Sequence, residues 1–442
     1  MNPSSRRSFL RQSAVLTASL ALAPATRVLG ANDRIRLGFM GLGGRGISLA
    51  RMFAREPGVE LVWFCDPDRR RWARSEAALD PAPERPLKFA QDFRRILEDP
   101  EVDGLVIATP DHWHGLATIL ACQAGKDVYV EKPLAHNAHE GRAMITAARH
   151  HRRVVQVGTQ SRSAPYVHEA RAAIAAGQLG EVRLVRVFNL MDHPSVPLGA
   201  EAAVPDGFDY DLWCGPAAML PHIPNRRWLN FSEYSCGPIP GDAVHQLDLA
   251  RFLLNDPPHP GALTQMSGVD VLRDGRDTPD SQIATYDYGT FRLLFQAALW
   301  TPYMQKTPMH LRESDTLPDW PFSSTKLEIL GTRGFMVLGR HGGGYQIFDA
   351  NKEPVVTRPG RQADVEHLRN FLDCIRSRNL PEADVAQGHA STLLCHLANA
   401  AWRSGYSALP FDPATESFPA HPEANAFLTR TFRSPWSLPP IR

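Results

Sequence analysis

Gly41-Leu42-Gly43-Gly44-Arg45-Gly46 follows an apolar run, Ile35–Met40, and opens an amphipathic segment. Glycines in this arrangement let a strand turn sharply, let backbone approach a phosphate, and let the following helix pack on the strand. The unpaired N–H groups that begin such a helix attract anions. A second apolar run, Glu60–Cys65, ends at Asp66, 25 residues after Gly41. In a dinucleotide-binding βαβ unit a carboxylate at that point meets the adenosine ribose hydroxyls. The segment is therefore expected to hold a nicotinamide dinucleotide on Gly41, Leu42, Gly43, Gly44, Arg45, Gly46 and Asp66. Asp66 favours NAD because it would repel a 2′-phosphate, whereas Arg69 and Arg70 lie close enough to leave NADP open.

The same alternation continues downstream. Gly104–Ala108, Asp127–Val130 and Val154–Val157 read as further buried strands. Gly46–Ala54, Asp68–Ala78, Gln91–Glu98, His114–Ala124 and Ala138–His150 read as helices. Strand-helix alternation implies a doubly wound parallel sheet reached by right-handed crossovers. After Gly158 the texture changes. A helix over Pro165–Ala176 leads to a strand, Arg183–Asn189, and a long Pro- and Trp-rich loop over 192–240. A helix, Ala243–Leu254, follows, with period-two strands at Thr264–Leu272, Ser281–Tyr288, Phe291–Trp300 and Lys326–Leu330, then a turn at 331–334 into another strand. Helices Ala363–Ser377 and Val385–Arg403 come last. The expected fold is α/β plus α+β: a Rossmann domain over 32–157, then an open, mostly antiparallel sheet with helices on one face over 158–433. An exposed Pro-rich tail covers 434–442.

Ahead of the first strand, Ser5-Arg6-Arg7-Ser8-Phe9-Leu10-Arg11 has the form of a twin-arginine export signal. The Ala14–Ala25 stretch behind it is mildly apolar, and no acid precedes Asp33. The stretch is too short and too rich in Ala, Thr and Ser to span a bilayer, so no stable membrane insertion is expected. A leader over 1–31, with cleavage at Ala23-Pro24-Ala25 or near Gly30-Ala31, implies recognition by the twin-arginine translocase and a periplasmic location. Removing Arg6, Arg7, Arg11 and Arg27 changes a formal charge of +1 to 44 basic against 47 acidic residues, about −3. No basic stripe is left for nucleic acid. The six cysteines are scattered, with only Cys214 and Cys236 placed in a stretch where a disulfide is plausible, and no His/Cys spacing matches a common metal-ligand pattern.

Two further motifs stand at carboxyl ends of the parallel strands, where ligands bind in such sheets. Thr109-Pro110-Asp111-His112-Trp113-His114 follows the Gly104–Ala108 run, and Glu131-Lys132-Pro133 ends the next. A lysine there can reach a substrate hydroxyl beside the nicotinamide. Tyr210 and Trp213, in Asp209-Tyr210-Asp211-Leu212-Trp213, mix aromatic faces with polar groups in a way that suits carbohydrate, or else anchor the loop.

The ordered set Gly41–Gly46, Asp66, Thr109-Pro110, Glu131-Lys132-Pro133, Gly158-Thr159-Gln160-Ser161-Arg162 and Gly331-Thr332-Arg333-Gly334 strongly resembles the Gfo/Idh/MocA oxidoreductases. The resemblance covers nearly the whole chain behind the leader. It implies NAD(P), a sugar or cyclitol substrate, and a homo-oligomer formed through the open sheet. It adds Thr109, Pro110, His114, Glu131, Lys132 and Gln160 to the cofactor contacts, and Arg162, Tyr210, Trp213 and Asp248 to the substrate side. Lys132 matches the catalytic lysine and His245, in Gly241-Asp242-Ala243-Val244-His245, matches the catalytic histidine. The family's acid, four residues before that histidine, is here Gly241. Either Asp242 reaches the site from position i−3, or that carboxylate is missing.

Free NAD(P) is scarce outside the cytoplasmic membrane, so export implies a cofactor held tightly and recycled in place. Coupled oxidation and reduction of two sugars satisfies this. So does the redox-neutral hydrolysis of the family's NAD-dependent glycoside hydrolases, which needs an additional base; Tyr166, Tyr210 and His168 are the candidates. A nucleotide-binding protein without catalysis is a third reading, against which Lys132 and His245 both stand.

Overall fold

The computed structural model describes residues 34–440; the twin-arginine signal expected over 1–31 lies outside the described residues. Strands β1 (Ile35–Met40), β2 (Val59–Cys65), β3 (Lys88–Ala90), β4 (Gly104–Ile107), β5 (Asp127–Val130) and β6 (Val155–Val157) form one sheet in the order β3-β2-β1-β4-β5-β6. Every pairing in it is parallel. Four of these strands are buried at nearly every position because helices cover both faces, which is why they read as continuous apolar runs. The order reverses between β1 and β4, opening a crevice at their carboxyl ends.

The second sheet comprises β7 (Val182–Leu190), β8 (Ala262–Gly268), β9 (Ser281–Asp287), β10 (Arg292–Ala298), β11 (Lys326–Gly331), β12 (Phe335–Gly339), β13 (Tyr345–Phe348), β14 (Pro354–Arg358) and β15 (Ala408–Pro410). Its order is β14-β13-β12-β11-β7-β10-β9-β8-β15. Only the β7–β10 pairing is parallel. Helices Pro238–Leu253 and Val385–Arg403 bury Val244, Leu247, Leu394 and Leu397 against this sheet, together with Val185, Val187, Leu293 and Phe295.

Some expectations need correction. The long helix begins at Pro238, not Ala243. Pro238 sits at its first position, where a missing N–H costs nothing, and the helix continues through Pro240 and Gly241. Inside the 192–240 loop a short helix forms at Tyr210–Cys214, with Asp209 accepting from the Leu212 N–H at 2.8 Å. No disulfide joins Cys214 to Cys236: both thiols are free and buried, the first 3.5 Å from the Tyr234 hydroxyl, the second 3.4 Å from the Ala135 carbonyl.

The segment expected as an exposed tail is docked. Trp436 meets Trp113 edge-on at 5.0 Å, lies under the Arg94 guanidinium at 5.1 Å, and joins Leu438 against the core beneath the first sheet. The Asp364–Ser377 helix packs into the separate core formed around Phe39, Phe53 and Tyr129. Its Phe371 sits edge-on to Phe53 and Tyr129, and the Gln156 amide donates to the His367 carbonyl at 2.8 Å. Replacing Trp436 by Ala should lower unfolding free energy by about 1–3 kcal/mol, read as an earlier denaturant midpoint. An unchanged midpoint would mean that the terminal segment contributes no packing.

Candidate active site

The crevice is a cleft of about 560 Å³ lined on one side by Gly41, Gly43, Gly44, Asp66, Thr109 and Lys132. Gly41 holds φ +93°, and a Cβ there would meet the Ala108 carbonyl oxygen at 2.5 Å. At Gly46 a Cβ would strike the Gly41 carbonyl oxygen at 1.9 Å, so this glycine serves helix-on-turn packing. Gly43 and Gly44 have nothing within 4 Å of where a Cβ would stand. They are the open floor, at the start of the Gly44–Phe53 helix, that a pyrophosphate requires. Asp66 ties down the turn: its carboxylate accepts from the Leu42 N–H at 2.8 Å and the Asp68 N–H at 2.9 Å. Buried Thr109 Oγ1 has no protein partner. These features fit an NAD(P) dinucleotide. Of the neighbouring arginines it is Arg71 that approaches Asp66, at 3.8 Å. Arg69 donates to Gln91 and Arg70 pairs with Asp68.

The opposite wall comes from the 192–240 loop. The Arg69 N–H donates to the Gly207 carbonyl at 2.9 Å and the Asp209 N–H to the Pro67 carbonyl at 3.0 Å, stitching the loop to the end of β2. This presents Phe208, Tyr210 and Trp213 to the cleft, with Tyr210 stacked on Trp213 at 5.6 Å. Tyr210 and Trp213, expected on the substrate side, thus line the same cleft as Gly41, Asp66 and Lys132.

At the cleft's inner end, Glu131 accepts from Arg45 Nε at 2.7 Å and from the Lys132 N–H at 3.2 Å. Burial alone would raise its pKa, but Arg45 and Lys132 outweigh that and hold it ionised. Lys132 Nζ donates to the carbonyl of Gly241 at 2.7 Å. Where the family pattern has an acid, this chain offers a backbone oxygen to the lysine. Asp242 is nonetheless present: Oδ1 receives Lys306 Nζ at 2.9 Å and lies 4.0 Å from Arg340 Nη1, while Oδ2 is buried without a partner. Burial opposes its ionisation, but Arg340, Lys306, His341 and Lys132 drive its pKa far below the usual carboxylate range. His245, one turn further on, is buried. Burial, followed by Arg340, Lys132, His341 and Arg45, pushes its pKa well below 6.5. Lys132, Asp242 and His245 therefore share one electrostatic environment.

Four expected contacts take other roles. Arg162 is fully buried and forks onto Asp248 at 2.8 Å and Asp256 at 2.7 Å, using Nε, Nη1 and Nη2. Asp248 also accepts from Ser391 Oγ at 2.7 Å. Neither can reach a substrate, because desolvated opposite charges have been spent on each other. His114, expected among the cofactor contacts, lies with its ring nitrogens 2.8 Å from the Pro133 carbonyl and 3.1 Å from the Thr109 carbonyl, bracing two loops. The Gln160 amide donates to the Tyr129 hydroxyl at 3.3 Å, outside the cleft lining. The three candidate extra bases are likewise engaged. Tyr166 donates to the Gly339 carbonyl at 2.6 Å, Tyr210 donates to the Leu220 carbonyl at 2.9 Å, and His168 pairs with Glu382 at 3.4 Å. Sequence reasoning missed Lys306, Arg340, His341 and Asp364, which stand in loops or at helix ends where no periodicity marks them.

Comparison with known proteins agrees with this geometry. Residues 35–159 match the family GFO_IDH_MocA, "Oxidoreductase family, NAD-binding Rossmann fold", and residues 336–438 match its companion, "Oxidoreductase family, C-terminal alpha/beta domain". The chain is 25% identical over 362 residues to scyllo-inositol 2-dehydrogenase (NAD(+)) of Bacillus subtilis (strain 168), covering 79% of this chain and 88% of that one. It is 34% identical over 158 residues to glycosyl hydrolase family 109 protein 2 of Shewanella sp. (strain ANA-3), 30% of this chain and only 35% of the relative. The WlbA dehydrogenase of Bordetella pertussis, solved with NADH and UDP-GlcNAcA, superposes with a TM-score of 0.63 at 21% identity. That alignment covers 86% of this chain and 99% of the other, and it shows a shared fold.

Two outcomes follow from the site. Arg162→Met should cost about 3–5 kcal/mol of stability by removing the guanidinium from buried Asp248 and half-buried Asp256, measured by denaturant unfolding; a variant with altered KM and undiminished stability would return Arg162 to the substrate. Because His245 is neutral in the free enzyme at pH 6, the acid limb of kcat/KM for alcohol oxidation should lie below pH 6.5. A limb at or above pH 6.5 would contradict the electrostatics described.

Proposed function

This chain belongs to the Gfo/Idh/MocA family of oxidoreductases, and from that premise we propose that it oxidises a secondary hydroxyl of a sugar or cyclitol, using NAD(P) that it retains and recycles. The observation that carries the reading is the meeting of Lys132 with the first turns of the Pro238–Leu253 helix at the inner end of the cleft. Bound NAD(P) supplies the hydride-accepting nicotinamide. The protein's part is positioning and proton movement. Lys132, anchored on the Gly241 carbonyl, keeps two N–H donors free to hold the substrate oxygen. His245, neutral under ordinary conditions, takes the hydroxyl proton. Asp242 keeps Lys306 and Arg340 in place and balances part of their charge. Asp66 favours NAD over NADP.

Export by the twin-arginine route, a periplasmic location and a homo-oligomer belong to the same proposal. The first two rest on Ser5–Arg11 and the apolar stretch after it. The stitched loop over 205–209 suits a cofactor that is loaded before export and not exchanged. Hydrolysis through transient oxidation is less well supported, since Tyr166, Tyr210 and His168 are all committed to other partners.

Denaturing the purified protein and identifying released nucleotide by mass spectrometry tests the reading directly. Stoichiometric NAD(H) or NADP(H) is expected, together with turnover of sugars without added nucleotide. Lys132→Met and His245→Asn should each lower kcat by roughly 10²–10⁴-fold. A protein that carries no nucleotide and binds neither form would defeat it, and cleavage of aryl glycosides without net redox change would make it a hydrolase.

A further inference from the structure

Asp111, His112 and Trp113, which follow β4, are buried and bond to the 213–237 segment. His112 Nδ1 lies 3.2 Å from the Tyr234 carbonyl, and Trp113 Nε1 donates to the Trp213 carbonyl at 3.0 Å. Asp111 carries the connection to the site. Its Oδ2 accepts from Ser235 Oγ at 3.0 Å and from the Cys236 N–H at 2.9 Å. Ser235 Oγ in turn accepts from the Gly237 N–H at 2.9 Å. Gly237, at φ +103°, is the residue from which the Pro238–Leu253 helix starts, and its carbonyl accepts from the Gly241 N–H at 2.9 Å. The Gly241 carbonyl then receives Lys132 Nζ at 2.7 Å. Asp111 and Lys132 therefore hold the first turns of one helix from beyond the ends of two neighbouring strands, β4 and β5, about 4.8 Å apart.

This helix has few means of fixing its own start. Gly237 offers no capping side chain, and Pro238 and Pro240 bring no N–H. The Arg162 fork fixes it at Asp248, about two turns downstream of Gly241. Asn399 Nδ2 donates to the Cys236 carbonyl at 2.7 Å and braces the 235–237 turn from the Val385–Arg403 helix. Asp111 ties the same turn to the cleft, whose lining includes both Asp111 and Lys132. We propose that Asp111 is a positioning residue: it fixes the 235–237 turn and thereby sets the Gly241 carbonyl where it holds Lys132 Nζ for the substrate oxygen. This rests on the reading above that Lys132 holds that oxygen. Burial raises the pKa of Asp111, whereas His114, the bonds from Cys236 and Ser235, and Lys132 lower it, so the carboxylate lies within electrostatic reach of the lysine it positions.

The test uses the purified holoenzyme. Lys132 is labelled with trinitrobenzenesulfonate and followed by peptide mass spectrometry, and scyllo-inositol and glucose serve as substrates for turnover. Asp111→Ala should make Lys132 react roughly tenfold faster, the scale of one net hydrogen bond. It should also lower kcat roughly 10²-fold with KM little changed, the cost of a misplacement of about 1 Å. Both bonds end on one carboxylate oxygen, so the amide oxygen of Asp111→Asn can accept them, and this variant should recover most of both losses. Added to Lys132→Met, Asp111→Ala should cause no further fall in kcat, because residues that act through each other are not additive. Ser235→Ala cuts the link to the Gly237 N–H and should shift labelling in the same direction. It carries the test if Asp111→Ala fails to fold, which nucleotide content and circular dichroism reveal. Unchanged labelling, no recovery in Asp111→Asn, or additive loss with Lys132→Met overturns the positioning role and leaves the oxidoreductase reading intact. Faster labelling in a protein that carries no nucleotide does the opposite: it supports the tether and sinks the oxidoreductase reading.

Discussion

The fork of Arg162 onto Asp248 and Asp256 holds the helix that carries His245 in register with the end of the parallel sheet. Arg162 lies just beyond β6 of the first sheet, Asp248 on the helix that carries His245, and Ser391, which also bonds Asp248, on the Val385–Arg403 helix. Ion pairs removed from water are stable only when every donor and acceptor is answered, and Arg162 meets that demand with bonds from three of its nitrogens. The parallel sheet and the Pro238–Leu253 helix are thereby locked together. Lys132 at the end of β5 can then meet the Gly241 carbonyl at 2.7 Å, because the two elements have little freedom to slide.

On that frame the site is tuned by charge more than by shape. Arg340, Lys306 and Lys132 drive Asp242 to stay ionised, and burial, followed by Arg340 and Lys132, keeps His245 unprotonated. The departure from the family pattern at Gly241 is absorbed locally. The acid moves one position along the helix and binds Lys306, and the lysine that would have met a side chain meets main chain.

Much of this was legible in sequence where local rules suffice. β1 and β5, the Ala138–His150 helix and the glycine turn lie where periodicity and turn chemistry place them, since each is decided by residues within one βαβ unit. The short strands β3, β13 and β14 escaped, because three to five residues are too few for a period-two pattern to register. Arg162 and Asp248 were read as substrate contacts because a charge in sequence does not disclose a partner 86 residues away. Lys306 and Arg340 escaped for the converse reason: nothing local distinguishes a loop lysine from any solvated one until folding brings it to Asp242.

The docked carboxyl-terminal segments bear on the order of assembly. The first sheet is built entirely from residues before 158, and a ribosome delivers those first. Its cores nevertheless include Leu368, Phe371 and Leu372, with Trp436 and Leu438 packed against them, from the last fifth of the chain. During synthesis the nucleotide domain must therefore wait with two apolar flanks uncovered, guarded by chaperones or by its own provisional collapse. Its covering waits until those later residues have been made, so a molecule truncated before Trp436 would reveal itself to quality control by the surface it leaves bare.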